Sequence, residues 1–410
     1  MAGAVLAGRN FAAVAEEYGT PVWVYDAEAI RAQIDRLRAF DVIRYAQKAN
    51  SNLHVLHLMR GEGVLVDAVS LGELERAISA GYQPPEVIFT ADLLDRSALA
   101  RVVELGVAVN AGSPQMLEQI GRCSPGHSVW LRINPGFGHG HSRKTNTGGE
   151  HSKHGIWHEH LAESLALIDR YRLDLVGMHM HIGSGVDYAH LESVCEAMFK
   201  QVCVAGRDVR AISAGGGLSV PYTEGGAEVD VDRYFRLWDV ARRALESHLG
   251  HRVELEIEPG RFLVAQAGAL ISEVRAQKPV GDNYFVLVDA GFNDLMRPAM
   301  YGSTHRISLY SPEGSERTGE RRDSIFAGPL CESGDVFTQT ENAEVLAVPV
   351  PQAQVGDLAV FHDAGAYGAS MSSNYNTRPL IAEVMIEDGA TKLIRRRQRI
   401  DELLALELTE

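Results

Sequence analysis

Apolar and amphipathic segments alternate along the larger, N-terminal part of the chain. Eight short apolar segments, rich in β-branched residues, have the length of buried strands; they are Val42–Ala46, Leu65–Val69, Val87–Thr90, Val107–Asn110, Val129–Asn134, Leu175–Ile182, Val209–Ser213 and Val253–Ile257. The segments between them carry apolar residues at helical spacing; examples are Leu71–Ala80, Leu161–Arg172 and Tyr234–Leu249. Eight strands that alternate with helices over ~240 residues predict a (β/α)₈ barrel of the TIM type, in the α/β class. An open, doubly wound sheet is the alternative architecture.

The pattern changes after residue 273, where no long helical segment separates the apolar runs. Turns rich in Gly, Pro and Ser bound the predicted strands, which are Tyr284–Val288, Glu344–Val350, Leu358–Phe361 and Glu383–Ile386. Val22–Tyr25 stands alone before the barrel and is expected to join this β region, and Arg399–Leu406 is expected to be a helix. We therefore predict a barrel domain over residues 27–272 and a mostly β domain made of residues 1–26 and 273–410.

One long segment, Gly136–His154, has neither a strand nor a helix pattern. It carries four histidines among glycines and polar residues, namely His139, His141, His151 and His154. A segment of this length is typical of an active-site cover or of a disordered loop. Metal binding is the alternative, but no carboxylate or cysteine stands at a ligand spacing beside the histidines. We therefore predict no metal site.

Composition narrows the possible functions. The formal net charge of -15 argues against nucleic acid as a partner, because nucleic-acid binding needs a basic face. No apolar run approaches the ~20 residues that span a membrane, and the N-terminus lacks a signal-peptide pattern. The four scattered cysteines suit a reducing compartment. We expect a cytoplasmic protein that binds neither nucleic acid nor membrane.

The ends of the first and sixth predicted strands carry candidate chemistry, because function in such barrels collects at the carboxyl ends of the strands. Lys48 follows the first strand, where partial desolvation would favour a free, nucleophilic amine. His179 and His181 lie two residues apart on the sixth strand and so share a face. They could be paired metal ligands, one could lie flat against an aromatic cofactor, or both could be structural.

The seventh and eighth strands end in segments that suit a phosphate and a ring nitrogen. Three consecutive glycines, Gly215–Gly217, let backbone N–H groups approach an anion closely. Glu258 and Arg261 follow the eighth strand, and barrels commonly bind a phosphate after strands seven and eight. A nucleophilic lysine, a flat histidine, a phosphate site and a carboxylate for the pyridine nitrogen together match the needs of pyridoxal phosphate.

With these residues the sequence resembles the fold-type III pyridoxal-phosphate-dependent decarboxylases along nearly the whole chain. The most specific strings are Cys331-Glu332-Ser333-Gly334-Asp335 and Gly365-Ala366-Tyr367-Gly368-Ala369-Ser370. The resemblance implies an alanine-racemase-like barrel plus a β domain, pyridoxal 5'-phosphate as cofactor, and a head-to-tail homodimer with shared active sites. Two departures concern the cofactor phosphate and the cover. Many relatives have Ser-Gln at Ser184-Gly185, and Gly136–His154 is unusually rich in Gly and His.

The resemblance also implies a role for each site residue. Catalysis is assigned to Lys48, which binds the cofactor covalently, to His181, which stacks on its ring, and to Cys331, which donates a proton from the partner subunit. The remaining cofactor contacts are assigned to Ser184, Gly216, Gly217, Glu258, Gly260, Arg261 and Tyr367. The substrate contacts are assigned to Arg261, Arg297, Tyr301, Glu332 and Tyr367.

The pair Arg297 and Glu332 indicates the substrate. An acidic residue suffices for the distal ammonium of a diamine precursor, whereas Arg297 would clamp a second, distal carboxylate. The expected reaction is therefore the conversion of meso-2,6-diaminopimelate to L-lysine and CO2, the last step of lysine biosynthesis by the diaminopimelate pathway. Three alternatives stay open at this point: an ornithine or arginine decarboxylase, a metal-dependent hydrolase that uses His179 and His181, and a non-catalytic carrier of pyridoxal phosphate.

Overall fold

The computed structural model describes residues 10–138, 148–181, 183, 185, 187–223 and 225–407. Its strands are β1 (Val22–Asp26), β2 (Val42–Ala46), β3 (Leu65–Ala68), β4 (Val87–Ala91), β5 (Ala108–Ala111), β6 (Ser128–Asn134), β7 (Ile156–Trp157), β8 (Asp174–His179), β9 (Ala211–Ser213), β10 (Glu254–Ile257), β11 (Gly268–Val280), β12 (Asn283–Val288), β13 (Ile307–Tyr310), β14 (Arg321–Ala327), β15 (Val348–Pro351), β16 (Leu358–Phe361), β17 (Ala382–Glu387) and β18 (Ala390–Arg395). Its helices are α1 (Phe11–Tyr18), α2 (Ala27–Asp35), α3 (Leu53–Gly61), α4 (Leu71–Ser79), α5 (Arg96–Leu105), α6 (Pro114–Cys123), α7 (Leu161–Tyr171), α8 (Tyr188–Ala205), α9 (Val231–Leu249), α10 (Arg261–Val264), α11 (Arg297–Tyr301) and α12 (Ile400–Leu404). Among the described residues, no helix is both long and apolar enough to cross a bilayer.

Contacts within the chain separate two compact units. The barrel unit consists of the described residues of Ile34–Ser219 and Val229–Phe262. The β unit consists of the described residues of Met1–Gln33, Val220–Glu228 and Leu263–Glu410. The candidate site residues are therefore distributed over both units.

Eight parallel strands of the barrel unit close into a ring. Their order around it is β2, β3, β4, β5, β6, β8, β9 and β10. The pairings of β5 with β6 and of β10 with β2 complete the circle, so the predicted (β/α)₈ barrel is confirmed and the open sheet is wrong. The sixth strand ends at His179 and not at Ile182, because its neighbour β9 stops at Ser213, where the glycine segment begins. Ile182 itself lies outside the described residues.

Local sequence fixes where the barrel helices begin and end. Ser70 caps the first turn of α4 by accepting a hydrogen bond from the Glu73 backbone N–H, while the Glu73 carboxylate accepts one from the Val69 N–H. Asp95 caps α5 in the same way, and Gly106 ends that helix in a left-handed conformation with φ of 70°. Such caps determine where each helix begins and ends. The length of the helix in turn determines where the following strand of the ring begins.

Buried charged residues stand on or beside the barrel strands, where bulky apolar residues usually dominate. They are Arg44, Asp67, Arg132, His179, Glu256 and Glu258. Arg44 Nε and Nη2 each donate a hydrogen bond of 3.1 Å to the Glu256 carboxylate. Burying so many charges is unfavourable unless they are paired, so their concentration at one place marks a functional region.

The β unit is built around β1, the isolated strand that precedes the barrel. β1 pairs antiparallel with β11 and parallel with β17. Strand β11 continues to β12, β14 and β15 on one side, and β16 pairs with both β11 and β13. Alternate residues of β1, β11, β16 and β17 meet Phe11 and Val14 of α1 in one apolar cluster. The period of two residues places this cluster on a single face of the sheet.

The bounds of two predicted elements of the β unit need correction. The strand expected at Glu344–Val350 is Val348–Pro351, because Thr340–Glu344 closes a turn through hydrogen bonds between their backbones. The helix expected at Arg399–Leu406 is shorter and covers Ile400–Leu404. Five strands were not predicted from the sequence, namely β7, β11, β13, β14 and β18, and β11 runs across residue 272.

Candidate active site

The turn after β2 presents Lys48. Residues Gln47–Ala49 form a single 3₁₀ turn directly after the strand. The buried Gln47 amide donates to the backbone carbonyl of Glu73 at 3.1 Å, and the Tyr45 hydroxyl donates to the Asn50 carbonyl at 2.9 Å. Both hydrogen bonds hold the turn rigidly, whereas the Lys48 side chain is exposed. Its amine is therefore accessible at the carboxyl end of a barrel strand, where the sequence placed it. The partial desolvation expected for this lysine is wrong for the single chain, because the turn after β2 leaves the side chain exposed.

Glu258, just after β10, is a buried carboxylate with two donors. Its Oε2 accepts a hydrogen bond from His179 Nε2 at 2.8 Å, and its Oε1 accepts one from Ser213 Oγ at 3.1 Å. Burial alone would raise the pKa of this carboxyl, but attraction and hydrogen bonding by His179, together with nearby Arg44, lower the pKa of Glu258 to about 2. The residue is therefore a fixed negative charge at neutral pH.

The imidazole of His181 is kept in its neutral form. Burial lowers its pKa well below the ordinary value, and the positive charges of Arg132 and Lys48 lower it further. The Gly216 backbone N–H donates to His181 Nδ1 at 3.0 Å, which requires an unprotonated nitrogen there. An uncharged, oriented ring suits stacking on an aromatic cofactor.

Backbone atoms crowd the glycine segment that follows β9. Gly215 and Gly217 have φ of +60° and +107°, conformations that favour glycine. A Cβ at Gly215 would lie 2.5 Å from the Met180 carbonyl oxygen, and one at Gly217 would lie 2.4 Å from that of Gly183. At Gly216 it would lie 2.6 Å from the Glu258 carbonyl oxygen. Only glycine fits at these three positions, so the N–H groups can approach a bound anion without side chains in between.

Gly260 and Arg261 stand beside the lysine turn and at the start of α10, respectively. A Cβ at Gly260 would lie 3.1 Å from the Ala46 carbonyl oxygen, so a close backbone approach explains this glycine. Arg261 is half-buried and is the first residue of its helix. Ser184 lies outside the described residues. The barrel unit thus brings Lys48 and the glycine and histidine positions to the carboxyl ends of its strands.

Arg297 is buried in the β unit and is held on three sides. Its Nη1 lies 3.1 Å from His305 Nε2, and its Nη2 donates to Ser303 Oγ at 3.2 Å. The guanidinium carbon lies 4.6 Å from the centroid of the Tyr222 ring, in cation–π contact. Tyr301 is the last residue of the same helix, α11, and is half-buried. A guanidinium fixed in this way is pre-organised for a planar anion.

Cys331 and Glu332 lie in an exposed loop of the β unit that is tied to a second loop. The Cys331 N–H donates to Asn376 Oδ1 at 3.0 Å, and the Tyr375 hydroxyl donates to Glu332 Oε2 at 3.4 Å. Tyr367 has φ of 57°, a strained value for a residue with a side chain. The β unit therefore carries two groups, the buried Arg297 and the exposed Cys331–Glu332 loop, each fixed by its own contacts.

Three residues that sequence reasoning missed belong to the barrel group. Asp67 on β3 is buried, and its pKa is raised to about 7 by burial and by repulsion from Glu258. Ser213 and Arg132 are also buried beside the strand ends. The available signal was a polar or charged residue within an apolar predicted strand, at the last position for Ser213 and inside the strand for Asp67 and Arg132. Two of the four histidines in the Gly136–His154 segment, His139 and His141, lie outside the described residues, so the cover expected there stays a prediction. His154 Nδ1 lies 2.5 Å from Asp92 Oδ2.

Comparison with known proteins decides the family. A family model described as the pyridoxal binding domain of pyridoxal-dependent decarboxylases matches residues 27–265. The chain belongs to the pyridoxal-dependent decarboxylases. The resemblance seen in the sequence is therefore confirmed, and pyridoxal phosphate is the cofactor. The metal-dependent hydrolase considered from His179 and His181 is wrong, because these histidines stand in a pyridoxal-binding barrel.

Several members of this decarboxylase family resemble the chain over nearly its full length. Diaminopimelate decarboxylase of Streptomyces coelicolor is 73% identical over 407 residues, which are 98% of this chain and 92% of that protein. The enzyme of the same name from Escherichia coli strain K12 is 60% identical over 408 residues, covering 98% and 97% of the two chains. A crystal structure of a diaminopimelate decarboxylase, 60% identical, superposes with a TM-score of 0.95 and covers 98% of this chain and 97% of its own. The Helicobacter pylori enzyme in complex with L-lysine is 29% identical, with a TM-score of 0.86 and coverage of 97% and 99%.

Proposed function

We propose that this decarboxylase converts meso-2,6-diaminopimelate to L-lysine and CO2, the last step of lysine biosynthesis, with pyridoxal phosphate attached to Lys48. The observation that carries the proposal is Glu258, a buried carboxylate with two hydrogen-bond donors and a pKa of about 2. A permanent negative charge can keep the pyridine nitrogen of the cofactor protonated. A protonated ring is the stronger electron acceptor and therefore favours loss of CO2. The names of the highly identical relatives support the same substrate.

The described residues fit this cofactor. The Gly215–Gly217 segment, where no Cβ can be accommodated, leaves N–H groups available for the phosphate. His181 offers a neutral ring for stacking, and Lys48 offers an accessible amine. Bound pyridoxal phosphate supplies the electron sink for the bond that is broken at the α-carbon. We assign the remaining cofactor contacts to Ser184, Gly260, Arg261 and Tyr367.

We assign substrate recognition and the returning proton to residues of the β unit. Arg297 would bind the distal carboxylate through two charge-assisted hydrogen bonds, and Glu332 would bind the distal ammonium. A substrate without the distal carboxylate would lose the charge-assisted hydrogen bonds to Arg297, which disfavours ornithine and arginine. The Cys331 thiol would donate a proton to the α-carbon as general acid. Arg261, Tyr301 and Tyr367 complete the proposed substrate contacts.

The attachment of the cofactor to Lys48 is tested by reduction and mapping. We expect the purified protein to show a visible absorption band that borohydride abolishes, and the reduced cofactor to be found on the peptide with Lys48. Lys200→Ala, which changes an exposed lysine of α8, is the matched control and should keep both the band and the release of CO2 from diaminopimelate. A reduced adduct on another lysine, or release of CO2 without diaminopimelate specificity, would contradict the proposal.

We further propose a homodimer with shared active sites. Cys331 and Glu332 belong to the β unit and are exposed in the single chain, whereas Lys48 belongs to the barrel unit. A two-fold dimer is the commonest symmetric assembly and would let each chain complete the site of the other. Residence in the cytoplasm also stays a prediction, which cell fractionation tests.

Shared sites are tested by mixing two inactive variants, Lys48→Ala and Cys331→Ala. If Cys331 serves the partner subunit's lysine, a mixed dimer has one site with both changes and one intact site. Random exchange makes half of the dimers mixed, so activity should return to about a quarter of wild type. Mass spectrometry confirms that subunits have exchanged. Activity that remains at the level of the parent variants after full exchange would reject the shared site.

A further inference from the structure

His179 is a buried histidine that the proposed reaction does not yet use. It is the last residue of β8 and is 1% exposed, and its Nε2 lies 2.8 Å from Glu258 Oε2. We infer that His179 is a positioning residue whose hydrogen bond holds Glu258 in its ionised form. This inference rests on the proposed function, because Glu258 matters there as the charge beside the cofactor ring.

The other neighbours of Glu258 do not donate a hydrogen bond to its Oε2 atom. Ser213 contacts Oε1 only, and its hydroxyl oxygen also accepts the Gly215 N–H at 3.1 Å. Arg44 attracts Glu258 electrostatically, but its Nε and Nη2 donate to Glu256. Within the described part of the chain, His179 therefore provides the hydrogen bond to Oε2. Without it, burial would favour the neutral acid.

The remaining charges around Glu258 oppose each other. The ionisable groups that act on it electrostatically are His179, His181, Arg44, Arg132, Asp67 and Tyr234. The negative charge of Asp67 repels the Glu258 carboxylate. Arg44 and Arg132 attract the Glu258 carboxylate through their charges, without a direct hydrogen bond to it. The balance therefore depends on the direct contact, which is strongest where water is excluded.

A second nitrogen of His179 distinguishes it from a histidine that only fills space. In the described residues, His179 Nδ1 is buried without a hydrogen-bond partner. By contrast, the buried His127 uses both nitrogens, with Nε2 at 2.8 Å from the Val107 carbonyl oxygen and Nδ1 at 3.2 Å from Ser124 Oγ. An unsatisfied buried nitrogen costs about 1–3 kcal/mol. A buried nitrogen left unsatisfied calls for an explanation, and the hydrogen bond from His179 Nε2 to Glu258 supplies one.

Two substitutions of His179 distinguish the effect of its hydrogen bond to Glu258 from the effect of the volume of its ring. In His179→Gln the amide nitrogen can take the position of Nε2 and donate to Glu258. In His179→Asn the shorter amide takes the position of Nδ1 and cannot reach the carboxylate. We therefore expect Glu258 to stay ionised at neutral pH in the Gln variant and to become protonated in the Asn variant. His127→Asn, at the histidine with two satisfied nitrogens, is the control for general loosening of the barrel.

The protonation of Glu258 is measured in the cofactor-free protein by infrared spectroscopy. All variants carry Asp67→Asn, because Asp67 also titrates near neutral pH and responds to the charge of Glu258. In this background the carboxylic-acid band of Glu258 is assigned by its loss when Glu258→Gln is added to each variant. We expect this band at neutral pH in His179→Asn, and its absence in wild type, His179→Gln and His127→Asn. If the Asn variant does not fold, His179→Phe, which fills the space without a donor, should show the band. An ionised Glu258 in a folded variant without the donor, or a protonated one in His127→Asn, would overturn the inference.

Activity of the reconstituted enzymes then separates this inference from the proposed function. We expect decarboxylation by His179→Asn to fall by about 10²-fold, as for the loss of one pre-organised electrostatic contact, and His179→Gln to lose less than about tenfold. If Glu258 is protonated in His179→Asn but decarboxylation is unchanged, the positioning role stands and the role of Glu258 in the proposed function fails.

Discussion

Two carboxyl groups in the barrel unit, Glu258 and Asp67, are equally well buried and behave in opposite ways. Glu258 is 6% exposed and accepts hydrogen bonds on both oxygens, and its pKa is about 2. Asp67 is 3% exposed, and its Oδ1 has no hydrogen-bond partner among the described residues. Burial and repulsion by Glu258 raise the pKa of Asp67 to about 7, against the weaker effects of Lys48 and Thr90.

The difference shows that donors, and not burial, decide the charge of a carboxyl group in this barrel. Glu258 is positioned as a constant negative charge, whereas Asp67 can hold or release a proton near neutral pH. The two groups also depend on each other, because each negative charge disfavours the other. Glu258→Gln therefore tests the role of the constant negative charge, and Asp67→Asn tests the role of the group that titrates near neutral pH.

The largest effect is expected on catalysis. Glu258→Gln should lower kcat/KM for diaminopimelate by about 10²–10³-fold, because it removes a fixed charge from the cofactor site. Asp67→Asn should change the same quantity by less than about tenfold, which corresponds to about 1.4 kcal/mol. Steady-state assays of both reconstituted variants measure this. Equal losses in the two variants would remove the functional distinction between the carboxyl groups.

The next effect is on stability as a function of pH, and its sign differs between the two residues. The pKa of Asp67 is raised from 3.8 to about 7, so its contribution to stability is complete below pH 3.8 and is lost as pH rises through 7. The pKa of Glu258 is lowered from 4.5 to about 2, so its contribution is complete above pH 4.5 and is lost as pH falls toward 2. Each group contributes a slope of up to about 1.4 kcal/mol per pH unit in its own window.

Urea unfolding of the cofactor-free variants at a series of pH values separates these windows. Relative to wild type, Asp67→Asn should gain stability as pH rises from 3.8 to 7. Glu258→Gln should instead gain relative stability as pH falls below 4.5. Parallel curves for both variants across the whole range would show that the two carboxyl groups do not differ in the folded protein.

The smallest effect is expected at Thr90. Its hydroxyl hydrogen-bonds to Asp67 and lowers the pKa of that carboxyl, while Asn110 Nδ2 donates to the same hydroxyl at 3.3 Å. Thr90→Val should move the Asp67 titration to higher pH and reduce the free energy of unfolding by about 0.5–1.5 kcal/mol. Thr90→Ser keeps the hydroxyl and serves as the control. A downward shift in Thr90→Val, or an equal shift in both variants, would contradict the proposed hydrogen bond.

Features with a local sequence pattern could be predicted, and features that depend on closure of the barrel could not. The eight barrel strands, Lys48 at a strand end and the Gly215–Gly217 segment all follow from short stretches of sequence. The bond between His179 and Glu258 joins residues 79 positions apart, and it exists only because β8, β9 and β10 are neighbours in the ring. Nothing local in Leu65–Val69 revealed that Asp67 Oδ1 would lack a donor among the described residues.

The β unit was harder to predict because its strands have mixed exposure. Strand β18 has mostly exposed residues, and β11 changes from buried to exposed along its 13 residues, so neither gives a clear apolar period. The order of the sheet could not be read from the sequence either, since β11 has partners both before and after it in the chain. Pairings between distant segments carry no local pattern.

The position of β1 has a consequence for synthesis on the ribosome. This strand leaves the exit tunnel before the whole barrel, yet its two partners, β11 and β17, are both synthesised after the barrel. All eight strands of the barrel lie between β1 and β11 in the chain. The ring can therefore close while β1 is still unpaired. Until β11 and β17 have emerged, the nascent chain carries an apolar strand with two open edges, which is the kind of segment that chaperones cover.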